Sequence, residues 1–121
     1  MGNKGEGSDD RAAFLPGTLY MLVLQTLERR GALHGYGIAQ HILETTEQVL
    51  QVEEGALYPA LQRMLAKGWV TAEWRQSDNN RRARFYSLTP EGREQLHAEV
   101  SEFERTVRAI AQIIRPQAAE A

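Results

Sequence analysis

A chain of 121 residues, 42% apolar and 25% charged, has the size and composition of one soluble globular domain. The absence of cysteine excludes disulfides, thiolate metal sites and cysteine nucleophiles, and a net charge of −2 argues at first against a nucleic-acid partner. No apolar run approaches the ~20 residues of a membrane span. The stretch from Met1 to Asp10 lacks the hydrophobic region of a signal peptide, and Glu6 stands where myristoylation wants Ser or Thr, so a cytoplasmic location with no membrane partner is expected.

Residues 1–13 are rich in glycine and charge without periodicity, and read as a disordered arm. Seven of the nine residues from Leu19 to Leu27 are apolar, bracketed by Pro16-Gly17 and Gly31. A helix apolar over nearly its whole circumference should be buried on two sides, by its own core and by a partner chain, which makes Leu19, Leu22 and Val23 candidates for a dimer interface. His34-Gly35-Tyr36-Gly37 reads as a turn before a second helix over about 36–46, and Val49 to Val52 as a brief extended piece. Glu53-Glu54-Gly55 opens a third helix with Leu57, Ala60, Leu61, Met64 and Leu65 on one face and the two acids at its positive end. Pro59 forfeits one bond inside that helix, and Gly68 ends it.

Val70, Ala72 and Trp74 alternate with Thr71, Glu73 and Arg75, the period of a half-buried strand with Trp69 and Trp74 packed in the domain. Ser77-Asp78-Asn79-Asn80 is turn chemistry, and 82–88 is the returning strand, in which Phe85 and Tyr86 cannot both face inward. Thr89 caps a last helix with Pro90 at its first position. Leu96, Val100, Phe103, Val107, Ile110 and Ile114 are spaced 4, 3, 4, 3, 4, a coiled-coil seam. About 25 residues make roughly 37 Å of helix, longer than so small a domain covers, so this seam is expected to hold a homodimer.

Charge is distributed unevenly. Residues 75–86 carry Arg75, Arg81, Arg82 and Arg84 against Asp78 and sum to +3, whereas every other part of the chain is net negative. Three helices and a hairpin, in this order, make a mainly α fold: a winged helix-turn-helix domain over residues 14–88, a dimerisation helix over 89–115 and a tail over 116–121. Its third helix can enter a DNA major groove while the hairpin reaches backbone or minor groove, which makes double-stranded DNA the expected partner. The candidate contacts are Tyr58, Gln62 and Arg63 on that helix, Gly55 at its start, Tyr36 on the second helix, and Arg81, Arg82 and Arg84 on the hairpin. The two wings and the long helix would also suit a protein-interaction module without specific DNA binding. No enzyme, metal site or cofactor is expected: His34, His41 and His97 lack ligand spacing, and no Gly-rich phosphate loop follows a strand.

The chain also resembles the PadR family of bacterial transcriptional regulators. The resemblance is carried by Leu15-Pro16-Gly17-Thr18-Leu19, His34-Gly35-Tyr36-Gly37-Ile38, Gly55-Ala56-Leu57-Tyr58-Pro59-Ala60-Leu61, Lys67-Gly68-Trp69-Val70 and Arg84-Phe85-Tyr86-Ser87-Leu88-Thr89-Pro90-Glu91-Gly92. It departs in having Glu53 and Glu54 where the family often has Ser or Thr, and its single short C-terminal helix resembles the smaller subfamily. What the resemblance implies is a homodimer acting as a repressor on a palindromic operator, released by a small molecule. The resemblance also implies, from some members, an aromatic on the last helix that lines a pocket at the dimer centre for planar aromatic molecules. Phe103 is the residue in that place, with Trp74 as a second candidate; the alternative is that Phe103 simply fills the dimer core.

Overall fold

The structure, a computed structural model, describes residues 17–115. The expected arm over 1–13 and the tail over 116–121 lie outside the described residues.

Helix α1 (Thr18–Arg30) runs between two glycines in left-handed backbone, Gly17 at φ 86° and Gly31 at φ 81°. Its apolar circumference is used within the protomer, because α2 (Gly35–Thr45), α3 (Glu54–Ala66), β3 (Arg82–Leu88) and α4 (Pro90–Ile114) all pack on it. Val23 is 0% exposed and so belongs to the protomer's own core, which corrects its assignment to a partner interface. The buried hydroxyl of Thr26 is satisfied by donating to the Leu22 carbonyl at 2.8 Å.

The expected turn at residues 34–37 is instead the end of a strand and the start of a helix. Leu33–His34 forms a short strand, β1, paired antiparallel with β3 through Leu33↔Tyr86 and His34↔Phe85. His34 serves both elements: its extended backbone suits the sheet, and its Nδ1 accepts from the Gly37 N–H at 2.9 Å to cap α2. Between α2 and α3 the chain turns through left-handed backbone at Glu47 and Gln48. Thr46 steadies the turn, its hydroxyl donating to the Ile42 carbonyl at 2.8 Å and accepting from the Leu50 N–H at 3.0 Å. The piece expected to be extended at 49–52 is no strand; it plugs Val52 into the core. In α3, Leu57, Ala60, Leu61 and Met64 are buried. Pro59 and Gly55 are both exposed, so water can take the bond that the proline ring forfeits.

Strand β2 (Val70–Gln76) pairs with β3 from Val70↔Leu88 to Gln76↔Arg82, and the sheet order is β1-β3-β2. Tyr86 is the inward member of the Phe85-Tyr86 pair, at 3% exposed. The start of α4 is locked to the turn that ends α3. Thr89 Oγ1 donates to the Gly68 carbonyl at 2.7 Å and accepts from the Gly92 N–H at 2.9 Å. A Cβ on Gly92 would lie 2.1 Å from the Trp69 carbonyl oxygen, so only glycine allows this approach. One turn on, Leu96 is 1% exposed in the protomer core and is likewise no dimer-interface residue. Beyond Val100 the helix leaves the domain, with Phe103, Val107, Ile110 and Ile114 exposed along one seam.

Candidate nucleic-acid interface

A cleft of about 740 Å³ separates α3 from the β2–β3 hairpin. Tyr36, Tyr58 and Gln62 line its helical side, and Trp74, Arg81, Arg82 and Arg84 line the hairpin side. Strand alternation explains the second wall. The register places Val70, Ala72, Trp74 and Gln76 on one face of the sheet with Leu88, Tyr86, Arg84 and Arg82. The root of that face is core. Its tip projects past the helices, so the same parity that buries Val70 and Tyr86 delivers Trp74, Arg82 and Arg84 to the cleft. Trp74 is therefore 57% exposed and not packed in the domain, contrary to the expectation from its alternation with polar neighbours.

The hairpin arginines are sorted by the same parity. Arg75 falls on the outer face, where its guanidinium sits 4.9 Å from the Phe85 ring centroid and pairs with Glu73 at 2.9 Å. Arg82 lies over the Trp74 ring at 5.0 Å. Arg84 is half-buried, and its Nε is sheltered with no hydrogen-bond acceptor among the described residues. A guanidinium N–H held without an acceptor at a cleft wall is matched to an anion entering from solvent.

On the helical side Tyr58 lies across Gly35, where an added Cβ would sit 2.8 Å from its Cε1 and Oη. Burial, with smaller effects of Glu54 and Tyr86, pushes the phenol above its ordinary value, so it stays a proton donor at neutral pH. Tyr36 is exposed at the start of α2, and Gln62 is exposed mid-way along α3. Gly55 is exposed at the N-terminal end of α3 with nothing within 4 Å of its Cβ direction, but it does not line the cleft.

Arg63 departs from its expected role. One residue on from Gln62 it has rotated about 100° around the helix, and it reaches back to α1, donating to the Tyr20 hydroxyl with its guanidinium 5.6 Å from that ring.

Phe103 and Trp74 are not brought together within the protomer. Phe103 borders a separate groove of about 430 Å³ between α1 and α4, with Thr18, Met21, Glu99 and Glu102. Trp74 lines the cleft between α3 and the hairpin instead and so lies apart from Phe103. Leu19 and Leu22 are half-buried on α1. Among the described residues no group of His, Cys, Asp or Glu is arranged to hold a metal ion, and no helix is long and apolar enough to cross a membrane.

Six residues expected from the sequence, Tyr36, Tyr58, Gln62, Arg81, Arg82 and Arg84, meet in this cleft, and Trp74, expected elsewhere, lies among them. The available signal was the strand period itself, continued beyond the length of the core.

The sequence model of the transcriptional regulator PadR-like family matches residues 23–98, more than half of the chain. A PadR family transcription regulator from Clostridium difficile is 29% identical, with a TM-score of 0.68 over 81% of this chain and 99% of that one. A transcriptional regulator from Clostridium thermocellum is 25% identical, with a TM-score of 0.74 over 82% of this chain and 95% of the other. A PadR-like regulator from Bacillus cereus, at 20% identity, shares the fold with a TM-score of 0.72 over 88% of this chain and all of its own. No curated protein matches the chain.

Proposed function

The chain belongs to the PadR-like family of transcriptional regulators, DNA-binding proteins rather than enzymes, and on that footing we propose that it represses transcription as a homodimer on a palindromic operator. Two copies join through the seam of Phe103, Val107, Ile110 and Ile114 on α4, with Leu19 and Leu22 of α1 beside it. Each α3 then enters a major groove, and each wing lies on the adjacent backbone or minor groove. A two-fold dimer reads an inverted repeat whose half-sites lie about one helical turn, roughly 34 Å, apart. Gln62 reads adenine edges, while Tyr36, Tyr58, Arg81, Arg82 and Arg84 hold phosphates.

The observation that carries this reading is the cleft, in which a helix face bearing Gln62 and Tyr58 opposes a wing bearing three arginines. It accounts for how a chain of net charge −2 can hold a polyanion: three of the four arginines of the hairpin line one cleft. The site of action is the cytoplasm, on the chromosome. Release is by a planar aromatic molecule at Phe103, whose groove of about 430 Å³ falls within the ~300–1,000 Å³ common for small-molecule sites.

Selection of bound fragments from random duplex DNA tests the regulator reading. Enrichment of an inverted repeat is the expected result. A pool that never converges, bound only weakly and lost entirely with salt, would instead identify a winged-helix protein-interaction module. For the effector, planar aromatic compounds should displace the selected duplex from the wild-type chain and fail to displace it from a dimeric Phe103→Ala variant.

A further inference from the structure

We propose that Trp74 is itself a DNA-contacting residue, its indole packing on a deoxyribose of the strand that runs through the cleft between α3 and the wing. The inference rests on the DNA-binding reading above and adds to it a contact that is not electrostatic.

Three features of one small region lead to it. Trp74 exposes more than half of its surface on a wall that carries three arginines and the polar turn residues Ser77 and Asn79. It is directly opposite Arg84 in the sheet and diagonal to Arg82, whose guanidinium covers one side of the ring at 5.0 Å. Arg84 beside it keeps an Nε sheltered and without an acceptor. An exposed indole and an unsatisfied guanidinium are deficient in opposite ways, one lacking apolar cover and the other an anion. A nucleic-acid strand supplies both in alternation, since an apolar sugar face separates each pair of phosphates.

Arg82 and Arg84 are two residues apart on β3, about 6.7 Å at the usual strand rise, with the indole lying against the same stretch of the wall. Two cations at this separation, with an aromatic level with one of them on the adjoining strand, can meet two successive phosphates and an intervening sugar. Stacking of Arg82 on the ring also restrains its guanidinium without using its N–H groups, which stay free for a phosphate. An effector role for Trp74 is disfavoured by position, because the groove at Phe103 shares no lining residue with this cleft.

The test uses the full chain with its selected duplex and a scrambled duplex, each titrated over a range of salt. Trp74→Ala should weaken binding to both duplexes about tenfold, the size of an aromatic contact to nucleic acid, while the slope of log K against log salt stays at the wild-type value. Trp74→Phe should restore most of the affinity and abolish the change in tryptophan emission on adding DNA, because the remaining Trp69 is covered by Tyr20 and Lys67. Wild-type affinity in Trp74→Ala, with Arg82→Ala weakened, would overturn the contact while leaving DNA binding intact. A slope lowered as much as in Arg82→Ala would also overturn it, reducing Trp74 to a platform for the arginine. If the wild-type chain binds neither duplex, this inference falls together with the reading beneath it.

Discussion

On the proposed reading, single residues in the cleft divide into those that hold DNA and those that read it, and the two kinds should respond differently to salt. Arg81→Ala together with Arg82→Ala removes up to four phosphate contacts per dimer, so the slope of log K against log salt should fall by as much as ~4, equally for matched and scrambled duplexes. Gln62→Ala should leave that slope unchanged and narrow the affinity gap between the two duplexes by about 1–3 kcal/mol. Fluorescence titration across a salt series measures both, and an unchanged slope in the double arginine variant would remove the wing from the mechanism. Away from the cleft, Gly92 has a purely structural task. A methyl there meets the Trp69 carbonyl, so Gly92→Ala should cost about 1–3 kcal/mol or more as the start of α4 is forced off its seat, seen as a lowered Tm. His41 gives a pH signature. Burial first, then the Arg30 and Arg29 guanidiniums, holds its ring below the ordinary histidine value, with Glu44 opposing. The folded chain therefore takes up this proton less readily than the unfolded chain. Its contribution is complete above the unfolded value of about 6.5 and is lost as pH falls through the lower folded value. The drop in Tm between pH 7.5 and pH 5 should accordingly be smaller in His41→Gln than in the wild type.

At the level of elements, α4 does two jobs along its length. Its first turns complete the core: Leu96 is buried and Glu28 of α1 pairs with Arg93 at 3.0 Å. From Phe103 onward its apolar seam is exposed among the described residues, from 38% at Phe103 to 74% at Ile114. Leu96→Ala should thus destabilise the fold by about 2–5 kcal/mol with little effect on association. Val107→Glu with Ile110→Glu should leave the protomer folded and make it monomeric, because charges would be buried in the seam without partners. Sedimentation velocity beside thermal melts separates the two effects, and a wild-type chain that sediments as a folded monomer at micromolar concentration contradicts the dimer. Elements with strong local signals were legible in the sequence: the glycine-bounded α1, the Thr89-Pro90 start of α4, and the hairpin with its Ser77–Asn80 turn. Strand β1 was not, since two residues carry no period and its pairing with Tyr86 and Phe85 is set by residues some fifty positions away. Periodicity could not say where the core stops, either. Leu96 and Val107 share one heptad seam and Val70 and Trp74 one strand face, yet the first of each pair is interior and the second is not. Arg63 was misplaced for a related reason, because the helical wheel gives its direction but not the Tyr20 hydroxyl within its reach.

The whole molecule presents two surfaces that a lone protomer leaves unfinished: an arginine-walled cleft short of anions, and a helix seam short of apolar cover. Each determines how the other is used. In the proposed dimer the seam would double the wings and fix their separation, so affinity, operator symmetry and half-site spacing would all follow from the length and angle of α4. Elsewhere the chain is net negative, which on the proposed reading would repel DNA from the other faces and favour arrival at the cleft. The elements themselves were readable from the sequence: the arginine-rich hairpin, the third helix and the apolar spacing along α4. Their relative placement was not, which is why Trp74 was grouped with Phe103 before the structure put them in separate cavities. The claim that these surfaces make a sequence-specific DNA-binding dimer is tested most directly by the ratio of affinities for the selected inverted repeat and a scrambled duplex at physiological salt. The account predicts a Kd of about 10⁻⁸ M or tighter for the repeat and a preference of at least ~10³ over the scrambled duplex, with one dimer bound per repeat. Equal, weak affinities for the two duplexes that vanish together as salt is raised would contradict it.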